Sequence, residues 1–443
     1  VEVREGYIFS NDATLRYISW SPKDEPRGLA VLYHGFGGSS EMMGWIGFEL
    51  ARKGYLAVSY DARGHGKSSS SLSHNVSALL QDFYLIREKF NCSYRETLLI
   101  GHSMGGSVVQ ELASSISPSK IVVIASPPLN RSISSEKLLI LAGLDEIFPR
   151  NRVMMPAGWH VYVSALDDHL TILYSPNAIE RIIGWLSGNS ETIVLLRLIL
   201  TLISSISAIF VLILTPAVLV GRREIKVRSD KGISAKTLLF AALLSPISFL
   251  LFILLTNLIR APIASFILGI FYSQALGLSL QFRKNLAKIK WMLGEIKLSS
   301  AGLGLLLALF TYLMMHSALQ PFLNVEPSAF RLTLIIELLL LFTPAILMLE
   351  ILIPENRGEF RKILLQRLAL MLTSFISALL VFQILIGGGY AGYFLIVTYM
   401  SLVLLIPIEL LASVLASRGL ETMNFIWIPV VLALLLGAVT PIT

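Results

Sequence analysis

From about residue 191 to its end, the 443-residue chain is a succession of apolar runs. Each is about twenty residues long, the length an α-helix needs to cross the hydrocarbon core of a bilayer. Runs are read at 192–220, 237–259, 261–282, 298–319, 332–353, 363–386, 390–411 and 424–443, which predicts an all-α transmembrane bundle of about eight helices. They account for a hydrophobic share of 54% and a mean hydropathy of +0.71, high for a soluble protein. Residues 1–190 instead alternate polar and apolar stretches. The expected organisation is a globular domain over 1–190 and a polytopic membrane domain over 191–443.

The charge follows the same division. Residues 1–190 hold 17 Lys and Arg against 18 Asp and Glu, while the whole chain holds 36 against 29. The basic excess therefore lies after residue 190. It is gathered in short loops: Arg222, Arg223, Lys226, Arg228, Lys231 and Lys236; Arg283, Lys284, Lys288, Lys290 and Lys297; Arg357, Arg361 and Lys362. Such loops set topology rather than bind nucleic acid, so no nucleic-acid partner is expected. The positive-inside rule places them in the cytoplasm and the globular domain on the extracytoplasmic side of a multi-pass protein, with the plasma membrane the expected location. Asn-x-Ser triplets at Asn75, Asn91 and Asn130 all fall in the globular domain and agree with that side. The single cysteine, Cys92, permits no internal disulfide and fits no metal pattern.

Within the globular domain, Val1–Ser10 and Ala13–Trp20 read as antiparallel strands about the turn at Asn11-Asp12. Leu29–Tyr33 is a continuous apolar strand, as expected where helices cover both faces of a sheet. It runs into His34-Gly35-Phe36-Gly37-Gly38. Tyr55–Tyr60 is a further strand, followed by Asp61-Ala62-Arg63-Gly64-His65-Gly66-Lys67-Ser68, whose Asp61 and His65 are read as structural. The strand Glu96–Ile100 enters Gly101-His102-Ser103-Met104-Gly105-Gly106, after which a helical pattern begins. A serine between glycines two residues to either side, on a strand–turn–helix, is the signature of a nucleophile elbow. The glycines are needed because the turn is tight and strained, and the helix N-terminus presents N–H groups where negative charge develops in acyl transfer.

Later strands are Lys120–Ala125, Lys137–Ala142 and Trp159–Ala165. Asp145 lies just past the carboxyl end of the second, where parallel α/β sheets gather functional groups, and is the candidate acid. His169, after the third, is the candidate base. His160 is a rival at the wrong end of its strand. Asp167 and Asp168 are closer to His169 in sequence, but a residue one or two positions away rarely points at the same ring. A serine hydroxyl needs an imidazole to take its proton, and a carboxylate to orient that imidazole.

These motifs, in the order Ser103, Asp145, His169, resemble the α/β-hydrolase superfamily of serine hydrolases. The segments Asp61–Ser68 and Gly101–Gly106 are similar to monoacylglycerol lipases and related esterases, and the end of the domain to compact members. The resemblance implies an eight-stranded, mostly parallel sheet, (thio)ester hydrolysis through Ser103, Asp145 and His169, and an oxyanion hole from the N–H groups of Phe36 and Met104. Ser126–Glu136 is eleven residues long, too short for the inserted lid of many lipases. No family is recognised for the membrane half.

The reading that follows is a membrane-embedded serine hydrolase of apolar acyl or lipid substrates, with membrane lipids around it and neither cofactor nor metal. Two alternatives stay open: a transporter or channel with a hydrolase-like regulatory domain, and a peptidase or acyltransferase using the same three residues. His316, Glu337, Glu350, Gln366, Arg367 and Glu409 lie within the apolar runs. They mark either a functional path or side chains snorkelling to an interface.

Overall fold

The computed structural model describes the chain apart from residues 11, 73–74, 91–95, 130–131, 220–233, 282–297, 353–358, 387, 419, 421–422 and 443. The described chain divides into two compact units, one of Val1–Ile203, Leu319–Phe330 and Pro441–Thr443, the other of Ser204–Ala318 and Arg331–Thr440.

Strand periodicity builds the first unit. Its strands are β1 (Glu2–Phe9), β2 (Thr14–Ser21), β3 (Gly28–Tyr33), β4 (Tyr55–Tyr60), β5 (Glu96–His102), β6 (Lys120–Ile124), β7 (Glu136–Ala142) and β8 (His160–Ser164). They form one eight-stranded sheet in the order β1-β2-β4-β3-β5-β6-β7-β8. The pairs β1–β2 and β2–β4 are antiparallel, and every later pair is parallel. The parallel strands carry apolar residues at successive positions, so alternate side chains reach opposite faces and both need cover. Ala30, Leu32, Leu98, Ile100, Val122 and Ile124 face helices α1 (Gly44–Arg52) and α4 (Pro176–Ser187). Leu29, Val31, Leu99, Ile121 and Val123 face α2 (Val76–Lys89) and α3 (Met104–Ile116). This three-layer sandwich leaves the carboxyl ends of β3, β5, β7 and β8 along one edge, where loops can meet.

The remaining helices are α5 (Val194–Leu219), α6 (Ala235–Leu243), α7 (Ser245–Ile259), α8 (Pro262–Gln281), α9 (Leu298–Leu319), α10 (Leu332–Leu352), α11 (Phe360–Ile386), α12 (Gly388–Ser417) and α13 (Asn424–Val439). Among the described residues, six stretches are long and apolar enough to cross a membrane, within α5, α8, α9, α11 and α12 and over Ala329–Ile351. The expected single run at 237–259 is two helices, α6 and α7, bent by 42°. Pro246 stands at the start of α7, where its missing N–H costs no helical hydrogen bond. The eighth expected run is α13, at 16 residues shorter than a full span. The basic loops at 222–231, 283–297 and Arg357, and the triplets at Asn91 and Asn130, lie outside the described residues.

Side chains knit the second unit together. Phe252, Phe266, Phe382 and Phe394 pack edge-on or tilted, with neighbouring ring centroids 4.5 to 5.5 Å apart. The Arg367 guanidinium forks onto both oxygens of Glu350 and reaches Glu409 Oε2 at 2.7 Å. Asn424 Nδ2 also donates to Glu350, at 3.1 Å. Four helices, α10 to α13, are thereby cross-linked by one buried polar cluster.

Candidate active site

The turn between β5 and α3 is built on Ser103, whose φ is +53°, a left-handed conformation that costs a serine energy. The neighbouring glycines explain how it fits. A Cβ on Gly101 would lie 2.1 Å from the Gly105 carbonyl oxygen, and one on Gly105 2.2 Å from that of Tyr33. The Ser103 N–H is anchored to the Ile124 carbonyl at 2.9 Å. Met104 opens α3, so its N–H belongs to the first turn, where helical N–H groups have no intrahelical acceptor.

Ser103, His169 and Asp145 come together in one hydrogen-bonded chain. His169 Nε2 is 2.9 Å from Ser103 Oγ, and Nδ1 is 3.0 Å from each Asp145 carboxylate oxygen. Asp145 is itself held, its Oδ1 accepting the N–H groups of Ile147 at 2.9 Å and Phe148 at 2.7 Å. Asp145 and His169 are buried, and Ser103 is half-buried. The rivals are engaged elsewhere. Asp167 accepts from the Ser164 hydroxyl. Asp168 Oδ1 accepts the N–H groups of Leu170 and Thr171 and the Thr171 hydroxyl, closing the turn around His169. The His160 ring lies 5.9 Å from Trp185.

The loop His34–Gly38 lies against the elbow. A Cβ on Gly35 would fall 3.1 Å from Ser103 Cβ and 2.9 Å from His102 Nδ1, so the backbone beside Phe36 approaches the serine as closely as a glycine allows. The Phe36 ring stands edge-on to His65 at 5.6 Å. The loop is fixed from behind by Asp61, which is fully buried. Its carboxylate accepts the N–H and hydroxyl of Ser40, both at 2.7 Å, and the N–H of Lys67 at 2.8 Å. Burial pushes the Asp61 pKa up, but the charge of Arg16 and these N–H groups outweigh it and hold the pKa below the usual range. His34 Nε2 accepts the Ala62 N–H at 2.9 Å, and burial lowers its pKa.

Three contributors escaped the sequence reading. His102 Nε2 donates to the His169 carbonyl oxygen at 2.8 Å. Glu146 Oε2 accepts the His169 N–H at 3.3 Å; burial raises its pKa. The segment Leu319–Phe330 packs within the same unit. Position alone could have suggested the first two, since each is adjacent in sequence to a candidate site residue. Among the described residues, no group of three or more His, Cys, Asp or Glu side chains is arranged to hold a metal ion.

Residues 24–181 match the model of a family described as serine aminopeptidase, S33. A monoacylglycerol lipase from Mycolicibacterium smegmatis is 32% identical over 98 residues, which are 21% of this chain and 35% of that protein. A non-heme chloroperoxidase from Streptomyces lividans is 30% identical over 132 residues, 28% of this chain and 46% of that protein. The chain thus spans between about a third and a half of these curated relatives. An α/β serine hydrolase without a lid from Xanthomonas campestris superposes at a TM-score of 0.36 with 18% identity, over 42% of this chain and 92% of that one. The eight-stranded, mostly parallel sheet and the match over residues 24–181 make the first unit similar to α/β-hydrolases, and a helical C-terminal region follows it in sequence.

Proposed function

We propose that this protein is a membrane-embedded serine hydrolase that cleaves carboxylic esters or thioesters of apolar acyl or lipid substrates. The observation that carries the reading is the hydrogen-bonded chain from Ser103 Oγ through the His169 ring to Asp145, mounted on a strained turn. In this reading His169 Nε2 takes the Ser103 proton as Oγ attacks the acyl carbonyl. The N–H groups of Met104 and Phe36 receive the oxyanion. Asp145 stabilises the imidazolium and keeps its ring oriented. The imidazolium then returns the proton to the departing alcohol or thiol. Water, deprotonated by the same ring, attacks the acyl-enzyme, releasing the acid and restoring Ser103.

The membrane assignment is supported by the side chains that the long helices leave bare. On α5, Leu196 is 57% exposed and Phe210 58% exposed. Apolar surface of that extent is stable in lipid and costly in water. The basic loops after residue 220 support an extracytoplasmic hydrolase unit. The relative named monoacylglycerol lipase supports acyl-lipid substrates. The family description, serine aminopeptidase, favours a second reading, cleavage of an amide by the same three residues.

The test is hydrolysis of p-nitrophenyl esters of increasing acyl length by the full-length protein in detergent, with Ser103→Ala as control and aminoacyl p-nitroanilides in parallel. Ester cleavage that rises with chain length and vanishes in Ser103→Ala is expected. Anilide cleavage without ester cleavage would favour the second reading. A wild type no faster than Ser103→Ala on either class would overturn both.

A further inference from the structure

The segment Leu319–Phe330 links two apolar helices in sequence, α9 and α10, yet it belongs to the compact unit that carries the sheet. Phe322 lies between two aromatic rings of that unit. It stacks on Trp45, at 6.0 Å and 16°, and meets Tyr174 edge-on, at 5.1 Å and 86°. The backbone on either side is hydrogen-bonded as well. Trp45 Nε1 donates to the Pro321 carbonyl at 3.1 Å, and the Tyr174 hydroxyl to the Phe322 carbonyl at 3.1 Å. The Asn324 N–H then donates to Ser39 Oγ at 2.9 Å, a contact buried on both sides. Asn324 Oδ1 accepts the Glu326 N–H at 2.9 Å, and Glu326 pairs with the Lys67 ammonium.

The partners of this segment are not scattered. Ser39 follows the loop that carries Phe36 and precedes Ser40, which Asp61 binds. Lys67 gives its N–H to the same Asp61. Trp45 is the second residue of α1, which follows the short turn Ser40–Met43 after that loop. Tyr174 ends the short turn that starts from His169 and Leu170, its N–H bonded to the Thr171 carbonyl at 2.9 Å. One segment therefore touches Ser39, next to the loop expected to hold an oxyanion, and Tyr174, at the end of the turn that follows His169. We propose that Leu319–Phe330 is a positioning element of the acyl-transfer site, tying the Phe36 loop through Asn324 and Ser39 and the His169 loop through Phe322 and Tyr174. This rests on the hydrolase reading above.

The physical reason is the steepness of catalysis with geometry. Oxyanion donors act at hydrogen-bond distance, and a misplacement of about 1 Å costs up to about a hundredfold in rate. Binding of the acyl chain is far less sensitive. Loosening the segment therefore lowers kcat and leaves KM nearly unchanged.

The experiment compares full-length wild type, Ser39→Ala, Ser39→Thr, Phe322→Ala and Ser103→Ala. The readouts are kcat and KM on one ester and inhibition by an alkylboronic acid, which forms a tetrahedral anion on a serine. Ser39→Ala and Phe322→Ala are expected to lower kcat about tenfold, with KM within about twofold and boronate affinity falling in parallel. Ser39→Thr keeps a hydroxyl acceptor and is expected to recover most of the rate. An active wild type with unchanged kcat in Ser39→Ala and Phe322→Ala overturns the positioning role alone. So does a Ser39→Thr variant as slow as Ser39→Ala. If Phe322→Ala does not fold, the Ser39 pair decides. A wild type no faster than Ser103→Ala defeats the hydrolase reading, and this proposal with it.

Discussion

His102 Nε2 donates to the carbonyl oxygen of His169 at 2.8 Å, so the residue before the elbow serine tethers the loop whose ring faces that serine. The His102 ring is buried, and its Nδ1 has no partner among the described residues. Burial first, and the neighbouring His169 second, push its pKa down to about 3 from an ordinary 6.5. Between those values the unfolded chain binds a proton that the folded chain refuses. Stability is therefore fully present above about pH 6.5 and is lost as pH falls toward 3. Burial lowers the His34 pKa in the same direction. Thermal unfolding of the full chain from pH 8 to pH 4 is expected to show a falling Tm below about 6.5. His102→Gln, which keeps a donor and removes the titration, is expected to flatten that fall. An unchanged slope in His102→Gln would remove His102 from the account.

Strain at Ser103 gives an opposing pair of effects. With φ at +53° the serine occupies a region that glycine enters freely. Ser103→Gly is expected to raise stability by about 1 kcal/mol while removing ester hydrolysis. Gly105→Ala is expected to lower stability instead, because its Cβ would meet a backbone oxygen at 2.2 Å. Overpacking there costs about 1–3 kcal/mol and displaces the elbow. Denaturant melts of the two variants check both directions.

Asp145 is separable from its sequence neighbours by substitution. Asp145→Asn is expected to lower kcat by about 10³- to 10⁴-fold, since the imidazole loses the partner that sets its tautomer. Asp168→Asn touches the turn after His169 and leaves the ring unaltered. It is expected to cost no more than about 1 kcal/mol of stability and little activity. Steady-state rates of the two variants distinguish the assignments, and equal losses would contradict them.

In the second unit, Arg367 stands between Glu350 and Glu409. Arg367→Met would leave the buried Glu350 and the half-buried Glu409 without that guanidinium. The expected loss is about 3–5 kcal/mol, seen as a large drop in Tm in detergent. Glu409→Gln keeps the Arg367–Glu350 pair and is expected to cost less. Equal Tm values for wild type and Arg367→Met would deny the cluster its role in holding α10 to α13.

Local pattern carried much of this architecture, and long-range contact did not. Continuous apolar runs such as Gly28–Tyr33 made strands covered on both faces legible, because side-chain alternation is a property of the strand itself. Gly101, Ser103 and Gly105 announced their turn by their spacing between a strand pattern and a helical one. Asp145 was separable from Asp168 by its place just past a strand end, and it lies 3.0 Å from the His169 ring. The bend between α6 and α7 was missed because hydropathy averages over the Ser245-Pro246 step. The packing of Phe322 on Trp45 was invisible for another reason. The two are 277 positions apart, and neither spacing nor composition encodes a meeting between a loop and a helix start. His102 was hidden at a position that the elbow pattern leaves open to any residue.

The account stands most directly on the reactivity of one hydroxyl. Full-length protein would be treated with a fluorophosphonate, which phosphonylates an activated serine, and its mass and modified peptide determined. A single adduct on Ser103, absent from His169→Ala and from heat-unfolded protein, is the expected result. No adduct on the folded protein, or an adduct on another residue with Ser103 unmodified, would contradict it.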